Sequence, residues 1–266
     1  MKIKDYLIMK TTHLMVDEIY KTTDITSNLI STAMLHKETF GPYKNFCKGE
    51  RELVICGAGP SLSKYKPIQE AVHIALNRSF LYEKIKFDFI FSQDFDGIRM
   101  VQNELINYCP DTCVKFLGTQ LDPYRMIPES LILKANGKKY DTDGYIPRSG
   151  EYRDIVLDID KKPLCNMNNV GQSVMQLAFF MNPKKIYIVG CDMSGGHFTQ
   201  RTQTDAERKK EDDEMKAVWN DKKRTEETLA NWKRIRDFGK LHYPDTQVIS
   251  INPVGLKGIF EDVYQE

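Results

Sequence analysis

The sequence predicts an α/β protein with a mostly parallel sheet, helices on both of its faces and an added N-terminal helical segment. Three observations predict it. Short apolar runs recur along the chain and end on glycine, asparagine or an acid, as the buried strands of a parallel sheet do. Helical stretches separate these runs, so strand and helix alternate. The stretch "NNVGQSVMQLAFFMNPKKIYIVGCD", residues 168–192, joins an apolar helix face to a buried strand. That face carries Val174, Leu177, Ala178 and Met181 at three- and four-residue spacing.

The elements follow in order. Residues 1–45 read mainly as helix, and "FGPYKNFCKGE" breaks the pattern at Gly41 and Pro42. A boundary at 48/49 separates this segment from the main domain, 49–266. "ELVICGAG" is a buried strand running into glycines, and "SLSKYKPIQEA" a short helix. "HIALN" and "FDFIFSQ" are the next strands, "DGIRMVQNELINYC" a helix and "CVKFLG" a strand. Residues 119–164, rich in Gly, Pro, Asp and Tyr, read as an excursion of loops and short strands. "IYIVGCD" is a strand, and "MSGGHFTQRTQ" a polar loop. Residues 205–240 are charged and helical, a lid or a flank with Trp219 and Trp232 on its inner face. "TQVISINP" is the last strand.

Composition narrows the partners. Of 266 residues 41% are hydrophobic and 28% charged, and the formal net charge is +1, so no global field recruits nucleic acid. No apolar run reaches the roughly 18–20 residues of a membrane span. The N-terminal stretch interrupts its apolar residues with Lys10, Asp17 and Glu18, which makes a poor signal peptide and leaves peripheral membrane contact open. Six cysteines without a C-x-x-C pair imply free thiols and a cytoplasmic protein, at most at the inner membrane surface.

Ligands of a parallel sheet collect beyond the carboxyl ends of its strands. There the chain places Gly57, Ala58, Gly59, Pro60 and Ser61, then Asn77 and Arg78, then Ser92, Gln93 and Asp94. Asn168, Asn169 and Gly171 precede the long helix, and Asp192, Ser194 and His197 follow the strand after it. Small, amide and hydroxyl residues at one end suit a sugar or nucleoside. "GAGPSL" lacks the third glycine of a dinucleotide fingerprint and the lysine of a Walker loop, which argues against NAD, FAD and P-loop ATP. It is either a phosphate-approaching turn or a bare strand-to-helix turn.

The blocks "VICGAGPSL", "ALNRSF", "FIFSQDF" and "GQSVMQLAFFMNPKKIYIVGCD" resemble, in order and spacing, the bacterial lipooligosaccharide sialyltransferases. They also resemble the wider group of motility accessory factor glycosyltransferases and 6-hydroxymethylpterin pyrophosphokinase-like proteins. The resemblance covers about residues 51–194 and implies a Rossmann-like fold (a GT-A-like variant). It further implies a CMP-sugar donor, a glycan or glycoprotein acceptor and no obligatory metal. The donor contacts it implies are Gly57, Gly59, Pro60, Ser61, Asn77 and Asp192. Asp94 stands where those enzymes carry asparagine, and Asn169 with Val170 where they carry a hydroxyl pair. Two donor-steadying tyrosines are replaced by "MSGGHF", and the lid histidine aligns near Glu226 to Thr228, where there is none.

For the chemistry, His197 is either a general base for an acceptor hydroxyl or an exposed loop histidine. Asp94 and Asp192 are candidates for base or hydroxyl contact, or for helix caps. Arg78 neutralises a phosphate or forms a surface ion pair. Were Mg²⁺ used, Asp94 and Asp96 would be its pair. The expected activity is glycosyl transfer from a nucleotide sugar. A Mg²⁺-dependent pterin pyrophosphokinase and a non-catalytic nucleotide- or glycan-binding scaffold are the alternatives, and a homo-oligomer is left open.

Overall fold

The computed structural model describes residues 3–119, 126–143, 154–167, 169–193, 196–198 and 204–265. Among the described residues, eight strands form one sheet: β1 (Glu52–Cys56), β2 (Val72–Leu76), β3 (Phe89–Ser92), β4 (Val114–Thr119), β5 (Lys138–Asp141), β6 (Lys185–Val189), β7 (Gln247–Ile251) and β8 (Glu261–Val263). Their spatial order is β5-β4-β3-β2-β1-β6-β7-β8, and every neighbouring pair is parallel. The chain winds outward from β1 in one direction and from β6 in the other. The carboxyl ends of these two strands therefore form the topological switch point, the place where open α/β sheets commonly hold ligands.

Strand periodicity divides the core into two layers. Leu53 and Ile55 face one layer, with Phe40, Val174, Leu177, Ala178, Trp232 and Ile235. Val54 and Cys56 face the other, with Leu62, Phe80, Leu105 and Leu131. The first layer is covered by the C-terminal end of helix α1 (Ile3–Phe40) and by α4 (Val170–Phe180) and α6 (Lys222–His242). The second is covered by short elements, namely the 3-10 turns Pro60–Lys64 and Asn77–Leu81 with α2 (Gln102–Asn107) and α3 (Glu129–Lys134). Helix α5 (Asp205–Asn220) precedes α6; Trp232 is fully buried, whereas the Trp219 side chain lies outside the described residues.

Several sequence expectations are corrected in extent. The helix expected over "SLSKYKPIQEA" is only the 3-10 turn Pro60–Lys64, and that expected over "DGIRMVQNELINYC" shrinks to a 3-10 turn and α2. Tyr108 ends α2 with extended backbone, and its hydroxyl accepts from Phe87 N at 3.0 Å. The excursion after Thr119 contributes a sheet strand, β5, and β8 follows the strand expected to be last. All six cysteines are free, and among the described residues no helix is long and apolar enough to cross a membrane.

His36 fastens α1 to this body. Its Nε2 accepts from Asp141 N at 2.8 Å, so Nδ1 carries the proton and donates to Ile159 O at 2.8 Å. The ring is fully buried and packs edge-on against Phe40, 5.1 Å between centroids, while Phe40 stacks on Phe116. Burial holds the His36 pKa below its ordinary 6.5. The unfolded chain then binds the proton more tightly than the folded one. Stability is full above about pH 6.5 and falls as the pH drops below that value, by up to about 1.4 kcal/mol per pH unit per group. His73, also lowered by burial, adds to the same trend. Chemical denaturation between pH 7.5 and 5 should show this decline, and His36→Gln should make it shallower.

Candidate functional site

The switch point is built by chain-to-chain contact. Beyond β1, Gly57 N donates to Val189 O and Gly59 N to Gly190 O, each at 2.8 Å, so the turn continues the sheet alongside the end of β6. A Cβ on Gly57 would collide with the Gly190 carbonyl, and one on Gly190 with that of Gly57. Gly190 also has φ +71°, a region that favours glycine. A Cβ on Gly59 would lie 2.6 Å from Asp192 Oδ2. The glycines expected to admit a ligand are thus required by the approach of the two strands.

Asp192 locks the same turn. Its Oδ2 accepts from Ser61 N at 2.7 Å, its Oδ1 accepts from Ser61 Oγ, and Ser61 Oγ accepts from Gly190 N at 3.2 Å. The carboxyl is buried, and burial raises its pKa against the opposing pull of the two Ser61 hydrogen bonds. Cys191 beside it is a thiol pushed up to about 12 by burial, so it remains protonated and is a poor nucleophile. Beyond β6, Phe198 meets the turn: its N donates to Ala58 O at 3.0 Å, and its ring meets Tyr82 edge-on. That anchor brings half-buried His197 to the glycine turn.

Further along the sheet edge, Asn77 follows β2 with φ +51° and accepts from Ser92 Oγ at 2.8 Å. Its side chain packs on Gly97, where a Cβ would collide with it. Asp94 Oδ1 accepts from Gly97 N at 3.1 Å, an Asx-type turn that shapes the loop after β3. Asp94 and Asn77 therefore belong to one local network, with Arg78 half-buried in the following 3-10 turn. Strand order places Asp94 (β3) and Asp192 (β6) three inter-strand steps apart, about 14 Å. They cannot share one proton or one metal ion, and Asp192, buried with both oxygens accepting from Ser61, is engaged within the turn. Asp96 is exposed, and among the described residues no three His, Cys, Asp or Glu side chains form a metal cluster.

The segment before α4 closes the site from the first core layer. Asn169 caps the helix, its Oδ1 accepting from Gly171 N at 2.8 Å, and Gly171 abuts Cys191 and Trp232. Asn166 accepts from Gln93 Nε2 at 2.7 Å, and its backbone N donates to Asp143 Oδ1 at 2.6 Å. On α4, Gln176 binds the backbone of Val156 and Cys165, and Gln172 Nε2 donates to Thr228 O at 2.7 Å. Sequence reasoning missed Asn166, Gln172 and Gln176; two amides four residues apart on an otherwise largely apolar helix were the available signal. Asn168 and Ser194 lie outside the described residues. Glu226 and Thr228, aligned with the family's lid histidine, sit on α6.

Buried polar atoms without a hydrogen-bond partner among the described residues are scattered, in Gln172 and Trp232 of the helices and Ser250 within β7 as well as at this end of the sheet. They include Gln93 Oε1 after β3, Thr142 Oγ1 after β5 and Asn252 Nδ2 after β7. β5 and β7 lie six inter-strand steps apart, about 29 Å, so of these three only Gln93 Oε1 stands beside the Asn77 and Asp94 stretch of the edge. Two cavities of about 430 and 470 Å³ lie elsewhere, one in the β2–β3 connection beside Tyr82 and Tyr108, the other between Arg236 and the start of β7 at Gln247. Neither contains a residue of the strand-end layer.

No family model and no curated protein matches the chain. Among solved structures it is similar to the sialyltransferase CstII from Campylobacter jejuni in complex with a substrate analogue, cytidine-5'-monophosphate. The identity is 11%, the match covers 76% of this chain and 79% of that one, and the TM-score is 0.36.

Substitutions at the switch point separate packing from ligand contact. Gly57→Ala should destabilise the fold by about 3 kcal/mol, since the Gly190 backbone carbonyl that its Cβ would meet cannot yield. Gly41→Ala, with open space around it, should stay within about 0.5 kcal/mol. Ser61→Ala removes a hydrogen bond to a buried carboxyl and should cost about 1.5–3 kcal/mol. Urea denaturation of the three variants checks the ranking.

Proposed function

We propose that the chain is a glycosyltransferase that moves a sugar from a nucleotide donor to a glycan or glycoprotein acceptor. By the resemblance of its sequence blocks, the donor is a CMP-linked, sialic-acid-like sugar. The observation that carries this reading is the polar layer at the strand carboxyl ends, where Asn77, Gln93, Asp94 and Asn166 line one hydrogen-bonded edge and Gln93 Oε1 is buried without a partner among the described residues. Such groups suit a ligand dense in hydroxyls and carbonyls.

In this reading the nucleotide lies along the edge between the Ala58–Ser61 turn, Asn77 and the capped start of α4. Asp192 holds the turn through Ser61 and is a positioning residue. His197 is the general base. The acceptor oxygen bonds to the anomeric carbon while its proton passes to His197. The nucleoside monophosphate leaves with the electron pair of the broken carbon–oxygen bond, and no step requires a metal ion.

Calorimetric titration with CMP, UDP, GDP and ATP, each with and without Mg²⁺, tests the reading. CMP should bind without metal, and His197→Ala should retain that binding while losing turnover of CMP-sugar by roughly 10²–10⁴-fold. Binding of ATP only with Mg²⁺ would instead favour the pyrophosphokinase and assign Asp94 and Asp96 to the metal. Nucleotide binding without turnover of any donor would leave a scaffold.

A further inference from the structure

Helix α1 leaves the body after its last turns. Thr32, His36 and Thr39 make its polar contacts with the β5 region, and the 29 residues from Ile3 to Ser31, about 43 Å of helix, extend beyond them. Large apolar side chains stand exposed there, among them Ile19 at 63%, Tyr20 at 67% and Ile30 at 57%. A helix of this length gains most of its stability from packing its apolar face, so a covering partner is required.

The pattern identifies the partner. Adjacent pairs recur at alternating four- and three-residue steps: Met15/Val16, Ile19/Tyr20, Thr22/Thr23, Thr26/Ser27, Leu29/Ile30 and Ala33/Met34. This is the 3.5-residue period of a helix–helix seam. It runs along the side of α1 away from Thr32, His36 and Thr39. The classes read apolar, apolar, hydroxyl, hydroxyl, apolar, apolar, the same from either end. A parallel pair would match like with like whatever the order, whereas only an antiparallel pair needs this two-way symmetry. Antiparallel packing also opposes the two helix dipoles favourably.

The middle of the seam suits close approach. The hydroxyls of Thr22, Thr23 and Thr26 each donate to the carbonyl four residues back at 2.8 Å, so they need no partner across an interface. The charged Lys10, Asp17, Glu18 and Lys21 lie on the opposite side and cancel, which offers nothing to an anionic membrane surface.

We infer that α1 is a dimerisation helix that pairs antiparallel with α1 of a second copy, setting Met15 against Met34, Ile19 against Ile30 and Thr23 against Thr26 about a two-fold axis. Such a contact is isologous and closes at two chains.

Light scattering after gel filtration of the full chain at tens of micromolar should give twice the 30.8 kDa chain mass. Ile19→Asp combined with Ile30→Asp should return it to a single chain while leaving the thermal midpoint of the body unchanged. A benzophenone amino acid at position 15 should cross-link to peptides around Met34 of the other copy. A single-chain mass for the unsubstituted protein, a dimer that survives the double substitution, or cross-links from position 15 to position 15 would each overturn the inference. So would a monomer that sediments with anionic vesicles.

Discussion

The structure depends on one close contact, the approach of Gly57 to Gly190 where β1 and β6 part company. The sheet winds away from this pair in both directions, so their contact fixes the topological switch point. Backbone meets backbone there without an intervening side chain, and the Ser61–Asp192 clamp holds the following turn. A buried carboxyl is costly unless hydrogen-bonded, and here both of its oxygens are used by one serine. The same residues that look like ligand groups in the sequence are thus the means by which the site acquires its shape.

From that contact the polar layer spreads along the strand ends. Its members are tied to each other across elements distant in sequence: Ser92 to Asn77, Gln93 to Asn166 and Asn166 to Asp143. The layers on either side of the sheet carry the apolar core with a few buried amides, Gln172 and Gln176 on α4 among them, while Ser61, Ser92, Gln93, Thr142 and Asp192 are buried at the strand ends.

Much of the fold was legible because buried parallel strands are apolar on both faces. "ELVIC", "HIAL", "FIFS" and "KIYIV" stand out for that reason, as does α4 with every residue from Gly171 to Phe180 buried. Edge strands escaped the same reading: in β5 only Tyr140 of "KKYD" is buried, and in β8 none of "EDV" is. The short helices were overestimated because their stops are tertiary, as at Tyr108. At the site, the residues were visible but their duties were not. Glycine, serine and aspartate in "GAGPSL" and "GCD" signal a tight polar turn, while the pairing of Ser61 with Asp192 spans 131 residues and leaves no local pattern.

The most direct test of the account is to locate nucleotide on the protein by amide chemical-shift mapping during a CMP titration. A ligand face at the strand carboxyl ends predicts shifts at Ala58, Asn77, Gln93, Asn169 and His197, with residues 236–248 unmoved. Shifts confined to the cavity between Arg236 and Gln247, or to the one beside Tyr82 and Tyr108, would contradict it.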